Sequence, residues 1–84
     1  MITVYAIRDS LSGEIYVGMT NDLERRLAEH KRKHSKYTSK FSDFILIHKE
    51  ACEDYESGRK REKYLKSGCG KEFLKTKSTE AGVV

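Results

Sequence analysis

Two runs near the start of the chain have the character of strands. Residues 2–8 and 14–18 are rich in Ile, Val, Thr and Tyr, and the turn formers Asp9, Ser10, Ser12 and Gly13 lie between them. This predicts a hairpin. With the turn centred between Ser10 and Leu11, Tyr5 stands directly opposite Tyr16 and both rings share one face. From Leu23 the period becomes helical: Leu23, Leu27, His30 and His34 form one stripe, with Arg26 at its edge and Arg25 and Arg32 pointing away. Thr20 or Asn21 can cap this helix, with Asp22 and Glu24 in its first turn.

Residues 35–42 read as a basic polar connection. The run Phe44-Ile45-Leu46-Ile47 then predicts a strand covered on both faces. A second helix starts at Glu53 or Asp54 and reaches Lys66, and Ser67-Gly68-Cys69-Gly70 stops it. Its apolar stripe is Ala51, Tyr55, Gly58 and Leu65, and Glu62 falls within it. A short helical turn at 71–74 follows, and residues 76–84 read as a flexible C-terminal tail, leaving residues 1–75 as one domain. The β-β-α-β-α order implies an α/β (α+β) fold, a small sheet with helices packed on it.

Composition narrows the function. Of 84 residues, 36% are charged and 37% hydrophobic, with no proline or tryptophan, which suits one small domain with a thin core. The longest apolar run is far short of a membrane span. No signal-like stretch opens the chain, so cytoplasmic residence is the default expectation. Cys52 and Cys69 read as reduced, incidental thiols, since no Cys/His pair has zinc-ligand spacing. The net charge of +4 is unevenly spread. Residues 20–40 carry +4 and residues 58–84 carry +5, around a segment of −4 at 41–57. These are either two solvated helix surfaces or one phosphate-binding face.

A few residues break the local pattern, and such positions are where function is stored. A carboxylate on an apolar stripe requires a partner, a metal or an open cleft, so Glu62 faces a site, or pairs with a nearby Arg, or the helix phase is off by one residue. Arg26 and His30 stand one turn apart on one side of the first helix. The guanidinium fork matches phosphate oxygens, while His30 alone would equally suit a hydrogen-bonded core position. Tyr5 and Tyr16 are ordinary strand residues unless nearby cations stabilise a phenolate. His34 and His48 have no comparable company.

The ordered set Tyr5, Tyr16-Val17-Gly18, Arg26, His30 and Glu62 resembles the GIY-YIG nucleases. Thr3-Val4-Tyr5, ten intervening residues and Tyr16-Val17-Gly18 match the paired elements that give the family its name. Arg26 follows ten positions after the second tyrosine, and Glu62 lies in a late helix within Arg59-Lys60-Arg61-Glu62-Lys63-Tyr64-Leu65-Lys66. That stretch is especially similar to the small stand-alone members. The resemblance covers roughly residues 2–74. It departs at Thr3 and Val17, which replace the family's glycine and isoleucine, and at Met19, where repair-type members carry a base.

The resemblance implies a three-stranded, mostly antiparallel sheet flanked by helices. It implies hydrolysis of DNA phosphodiesters with Mg2+ or Mn2+, either structure-selective or non-specific, in DNA repair or recombination. Glu62 would bind the metal and Arg26 would stabilise the charged phosphate. Tyr16 would activate or position water, Tyr5 would orient it or complete the site, and His30 would assist as base. Two other readings stand beside this one. One is a nucleic-acid-binding module with little or no catalysis. The other is a subunit that works beside a partner protein or as a homodimer.

Overall fold

The computed structural model describes residues 1–32 and 43–80, with side chains through residue 77. The expected connection at 35–42 lies wholly outside the described residues, as does His34. The elements are β1 (Ile2–Asp9), β2 (Ile15–Thr20), α1 (Leu23–Lys31), β3 (Phe44–Cys52), α2 (Tyr55–Lys66) and α3 (Gly68–Glu80). The three strands form one antiparallel sheet in the order β2-β1-β3. The α+β expectation holds, with a third full helix added.

The hairpin forms, but its register differs from the expected one by two residues. Tyr5 pairs with Gly18, and Ile7 pairs with Tyr16. Asp9 sets this geometry: its carboxylate accepts from Ser12 N and Oγ at 3.1 and 2.7 Å, and its carbonyl accepts from Gly13 N at 3.0 Å. An even slip keeps every side chain on its face. Tyr5 and Tyr16 thus remain on one side as diagonal neighbours.

The sheet is covered on both faces. Val4, Ala6 and Val17 point to one side and pack with Ile47, Leu65 and Leu74 under α2 and α3. Tyr5 and Ile7 point to the other, against Tyr16, Leu23, Leu27, Phe44 and Leu46. The doubly buried strand is therefore the central β1 and not β3. As an edge strand β3 alternates, and Ile45 is 36% exposed. Its apolar run serves both faces by ordinary alternation, and a bulge interrupts the ladder within it. The ladder passes from Ala6–His48 to Ile7–Leu46, skipping Ile47, which joins the opposite core from Phe44 and Leu46.

The helix caps are local. Asp22, rather than Thr20 or Asn21, caps α1 by accepting from Arg25 N at 3.1 Å, while Thr20 Oγ1 accepts from Asp22 N. Asp54 caps α2 as expected. Gly58 and Leu65 are buried in α2, but Tyr55 is 61% exposed and Ala51 belongs to β3, so neither joins the stripe.

The largest departure is α3. In place of a turn at 71–74, a helix of 13 residues begins immediately after Ser67, and residues 76–80 of the expected tail continue it. Ser67 ends α2 yet restarts the chain: its carbonyl accepts from Lys71 N and its hydroxyl from Gly70 N. Gly70 lies so close to α2 that a Cβ there would strike the Tyr64 carbonyl and stand 2.5 Å from Leu65 Cα. That glycine is a close-approach position between helices, not a stop, and it allows Leu74 to reach the core.

Candidate active site

The face of the sheet carrying Tyr5 and Tyr16 meets α1 at its polar end. Tyr5 is central, fully buried and rigidly placed by the ladder on both sides. Its hydroxyl lies 2.8 Å from His30 Nε2. The Tyr5 and Tyr16 rings are 6.3 Å apart, and the His30 ring is 5.8 Å from the first and 5.3 Å from the second. Phe44 closes the cluster edge-on to His30 at 6.1 Å. Gly18, opposite Tyr5, leaves room for both phenol rings, because a Cβ there would stand 2.8 Å from Tyr5 Oη and 2.9 Å from Tyr16 Cε2.

One turn before His30, Arg26 interacts with both phenols and donates from Nη1 to Glu29 Oε1 at 3.0 Å. Glu29 is a residue that sequence reading overlooked. Its signal was the i,i+3 spacing from Arg26, which places an acid beside a half-buried base.

Electrostatics assign protonation states to this cluster. Burial, reinforced by Tyr16, pushes the Tyr5 phenol up to about 12, outweighing the opposing pull of Arg26. Tyr5 is therefore a neutral hydrogen-bonding group near pH 7 and not a phenolate. Burial and then Arg26 hold His30 below the ordinary imidazole range, against a smaller contrary effect of Glu29. A neutral imidazole can accept a proton. Burial opposes the charge on Arg26, but hydrogen bonding to Glu29, Tyr16 and Tyr5 overrides it, and the guanidinium stays charged.

Four of the five expected site residues, Tyr5, Tyr16, Arg26 and His30, therefore form one connected group. His30 satisfies both earlier readings, since it is a buried, hydrogen-bonded core residue and a member of the cluster. Glu62 sits on α2, in the layer against the opposite face of the sheet. Its side chain is 15% exposed, between buried Gly58 and Leu65, which upholds the helical phase. Its partner is Lys66, with Nζ 3.4 Å from Oε2, and not an arginine; Arg61 instead donates to Glu50 at 2.8 Å. His48 Nε2 is buried with no hydrogen-bond partner, against Phe73. Among the described residues no group of three His, Cys, Asp or Glu side chains could hold a metal, and no helix is long and apolar enough to cross a membrane.

Comparison with known proteins bears on this cluster. A UPF0213 protein of Desulfotalea psychrophila is 34% identical over 56 residues, which cover 64% of this chain and 51% of that protein. The chain thus spans about half the length of the curated relative it matches. No solved structure matches. The family described as the GIY-YIG catalytic domain matches residues 1–75, the span that contains both tyrosines, Arg26, His30 and Glu62. The chain belongs to the GIY-YIG family, whose domain implies a nuclease-type function on nucleic acid.

Proposed function

We propose that this protein is a divalent-cation-dependent endonuclease that hydrolyses phosphodiester bonds in DNA, structure-selective or non-specific, with a role in repair or recombination. The observation that supports it best is the convergence of Arg26, His30, Tyr5 and Tyr16 at one end of a sheet face. Phosphodiester hydrolysis builds negative charge on the phosphate. A guanidinium already oriented by Glu29 and the phenols can meet that charge without reorganising. The Tyr5 hydroxyl, 2.8 Å from His30 Nε2, fixes the ring; with the hydroxyl accepting from Nε2–H, Nδ1 is the nitrogen left to take a proton. Tyr16 is less buried than Tyr5 and is the phenol that positions the attacking water.

Glu62 is the carboxylate that would hold Mg2+ or Mn2+. A single carboxylate fits Mg2+, which keeps most of its waters and leans on substrate phosphate. Lys66 at 3.4 Å is an exposed i,i+4 partner that a cation displaces at small cost. Held at Glu62, such a cation would supply charge stabilisation to the phosphate.

The test is cleavage of duplex, flap and single-stranded DNA with Mg2+ or Mn2+ and with chelator. Cleavage that stops with chelator, with Arg26→Ala and with Glu62→Ala supports the reading. Intact DNA on every substrate, with salt-sensitive binding unchanged in Glu62→Ala, would instead identify a binding module without catalysis.

A further inference from the structure

Glu29 binds two arginines of α1 at once. Its Oε1 accepts from Arg26 Nη1 at 3.0 Å, and its Oε2 stands 3.8 Å from Arg25 Nη1. Arg25 is itself tied to the start of the helix, with Nε 3.8 Å from Asp22 Oδ2 and Nη2 donating to Asn21 Oδ1 at 3.5 Å. The carboxylate is thus braced by Arg25 on one oxygen and grips Arg26 with the other. Helical spacing brings this about, since the arginines precede Glu29 by four and three positions. Glu29 also bears on the adjacent imidazole. Among the described residues, Tyr5 faces His30 from β1, Tyr16 from β2 and the uncharged Phe44 from β3. The charges come from its own helix: Arg26 disfavours a proton on His30, and Glu29 opposes that effect.

We propose that Glu29 is a positioning residue with two effects: braced by Arg25, it fixes the Arg26 guanidinium in the site, and it counterbalances the Arg26 charge at His30. This rests on the nuclease reading and deepens it by joining the phosphate-binding cation and the base through one carboxylate. A guanidinium fixed before charge develops on the phosphate needs no reorganisation when it does. Without the carboxylate, Arg26 stays charged but is freer to turn, and its charge acts on the imidazole unopposed. The ion pair itself contributes little to stability, because the Arg26 and Glu29 side chains are 28% and 31% exposed. Its loss is therefore expressed in the site and not in the fold.

The test compares Glu29→Ala with Glu29→Gln, which loses the charge but keeps an acceptor oxygen for Arg26. NMR follows the titration of the His30 ring and hydrogen exchange at the Arg26 guanidinium in metal-free protein, and cleavage kinetics are measured on DNA with Mg2+. Both variants should move the His30 titration to lower pH, because the opposing carboxylate is gone. Arg26 exchange should quicken in Glu29→Ala and less so in Glu29→Gln. Glu29→Ala should lower kcat by up to about 100-fold with KM little changed, and Glu29→Gln by less. The acid limb of kcat/KM should move to lower pH in step with His30. In an Arg26→Lys background Glu29→Ala should cost little more. An unmoved His30 titration, unchanged Arg26 exchange, full activity in Glu29→Ala, an undiminished loss in the Arg26→Lys background, or a loss that merely tracks a fall in melting temperature would each overturn the proposal. DNA cleavage by wild type alongside any of these results leaves the nuclease reading standing while the role of Glu29 falls. Intact DNA with wild type removes the nuclease reading; the hold of Glu29 on Arg26 and His30 then stands if both NMR readouts shift and falls if either does not.

Discussion

Replacing Gly18 with alanine tests the packing that holds the two tyrosines. An ideal Cβ there stands 2.8 Å from Tyr5 Oη, 2.9 Å from Tyr16 Cε2 and 3.0 Å from Tyr5 Cζ. Carbon contacts normally settle at about 3.5–4.0 Å, so both rings must move by about half an ångström or more. Tyr5 cannot swing away, because it is fully buried and its hydroxyl is bonded to His30 at 2.8 Å. Overpacking of this kind costs about 1–3 kcal/mol. The reduced freedom of the unfolded chain returns about 0.4–1 kcal/mol. A net loss of about 1–2 kcal/mol should lower Tm by about 4–16 °C in a domain this small. Displaced rings should also reduce cleavage by up to about 100-fold. Urea denaturation and thermal melting read the first effect. Tyr5→Phe removes the closest atom, so the alanine should cost less in that background, with a coupling of about 0.5–3 kcal/mol. A Gly18→Ala protein as stable and as active as wild type would refute the account of why glycine stands opposite Tyr5.

Three further outcomes follow from the same geometry. His30 is held below its unfolded pKa, so its contribution to stability is fully present above about pH 6.5 and declines as pH falls through that value towards its folded pKa. Urea midpoints between pH 7.5 and 5 should therefore fall more steeply in wild type than in His30→Gln. Arg26→Lys keeps the charge but loses the fork that meets Glu29 and both phenols, so cleavage should drop about 100- to 1,000-fold. Its melting temperature should change little, and retained cleavage would remove the role given to Arg26. Leu74→Ala should destabilise by about 2–5 kcal/mol in denaturant titration, because Leu74 is fully buried in the core beneath α3.

Much of the molecule was legible in the chain because its signals are local. The hairpin, the first helix and the Asp54 cap follow from turn formers, 3.6-residue spacing and a side chain reaching three residues ahead. The pairing of Arg26 with His30 on one side of α1 follows from that same period. Missed features turned on strand order, on the hydrogen bonds that close one turn and on how two helices pack. Whether β3 is buried on two faces depends on strand order, which puts β1 at the centre. The register of the tyrosines depends on how Asp9 and Gly13 close the turn. Gly70 looks like a helix stop until α2 is found packed against it.

The sequence by itself determined which side chains are present, in what order, and on which face of each helix or strand they stand, since backbone periodicity alone sets those relations. It also carried the marks of a nuclease family in five residues. Only the tertiary structure decided that His30 meets Tyr5, that burial keeps Tyr5 a neutral phenol despite Arg26, and that Glu62 pairs with Lys66 and not with an arginine. Those outcomes depend on desolvation and through-space distance. Both are set by which elements pack together, and no spacing along the chain encodes them.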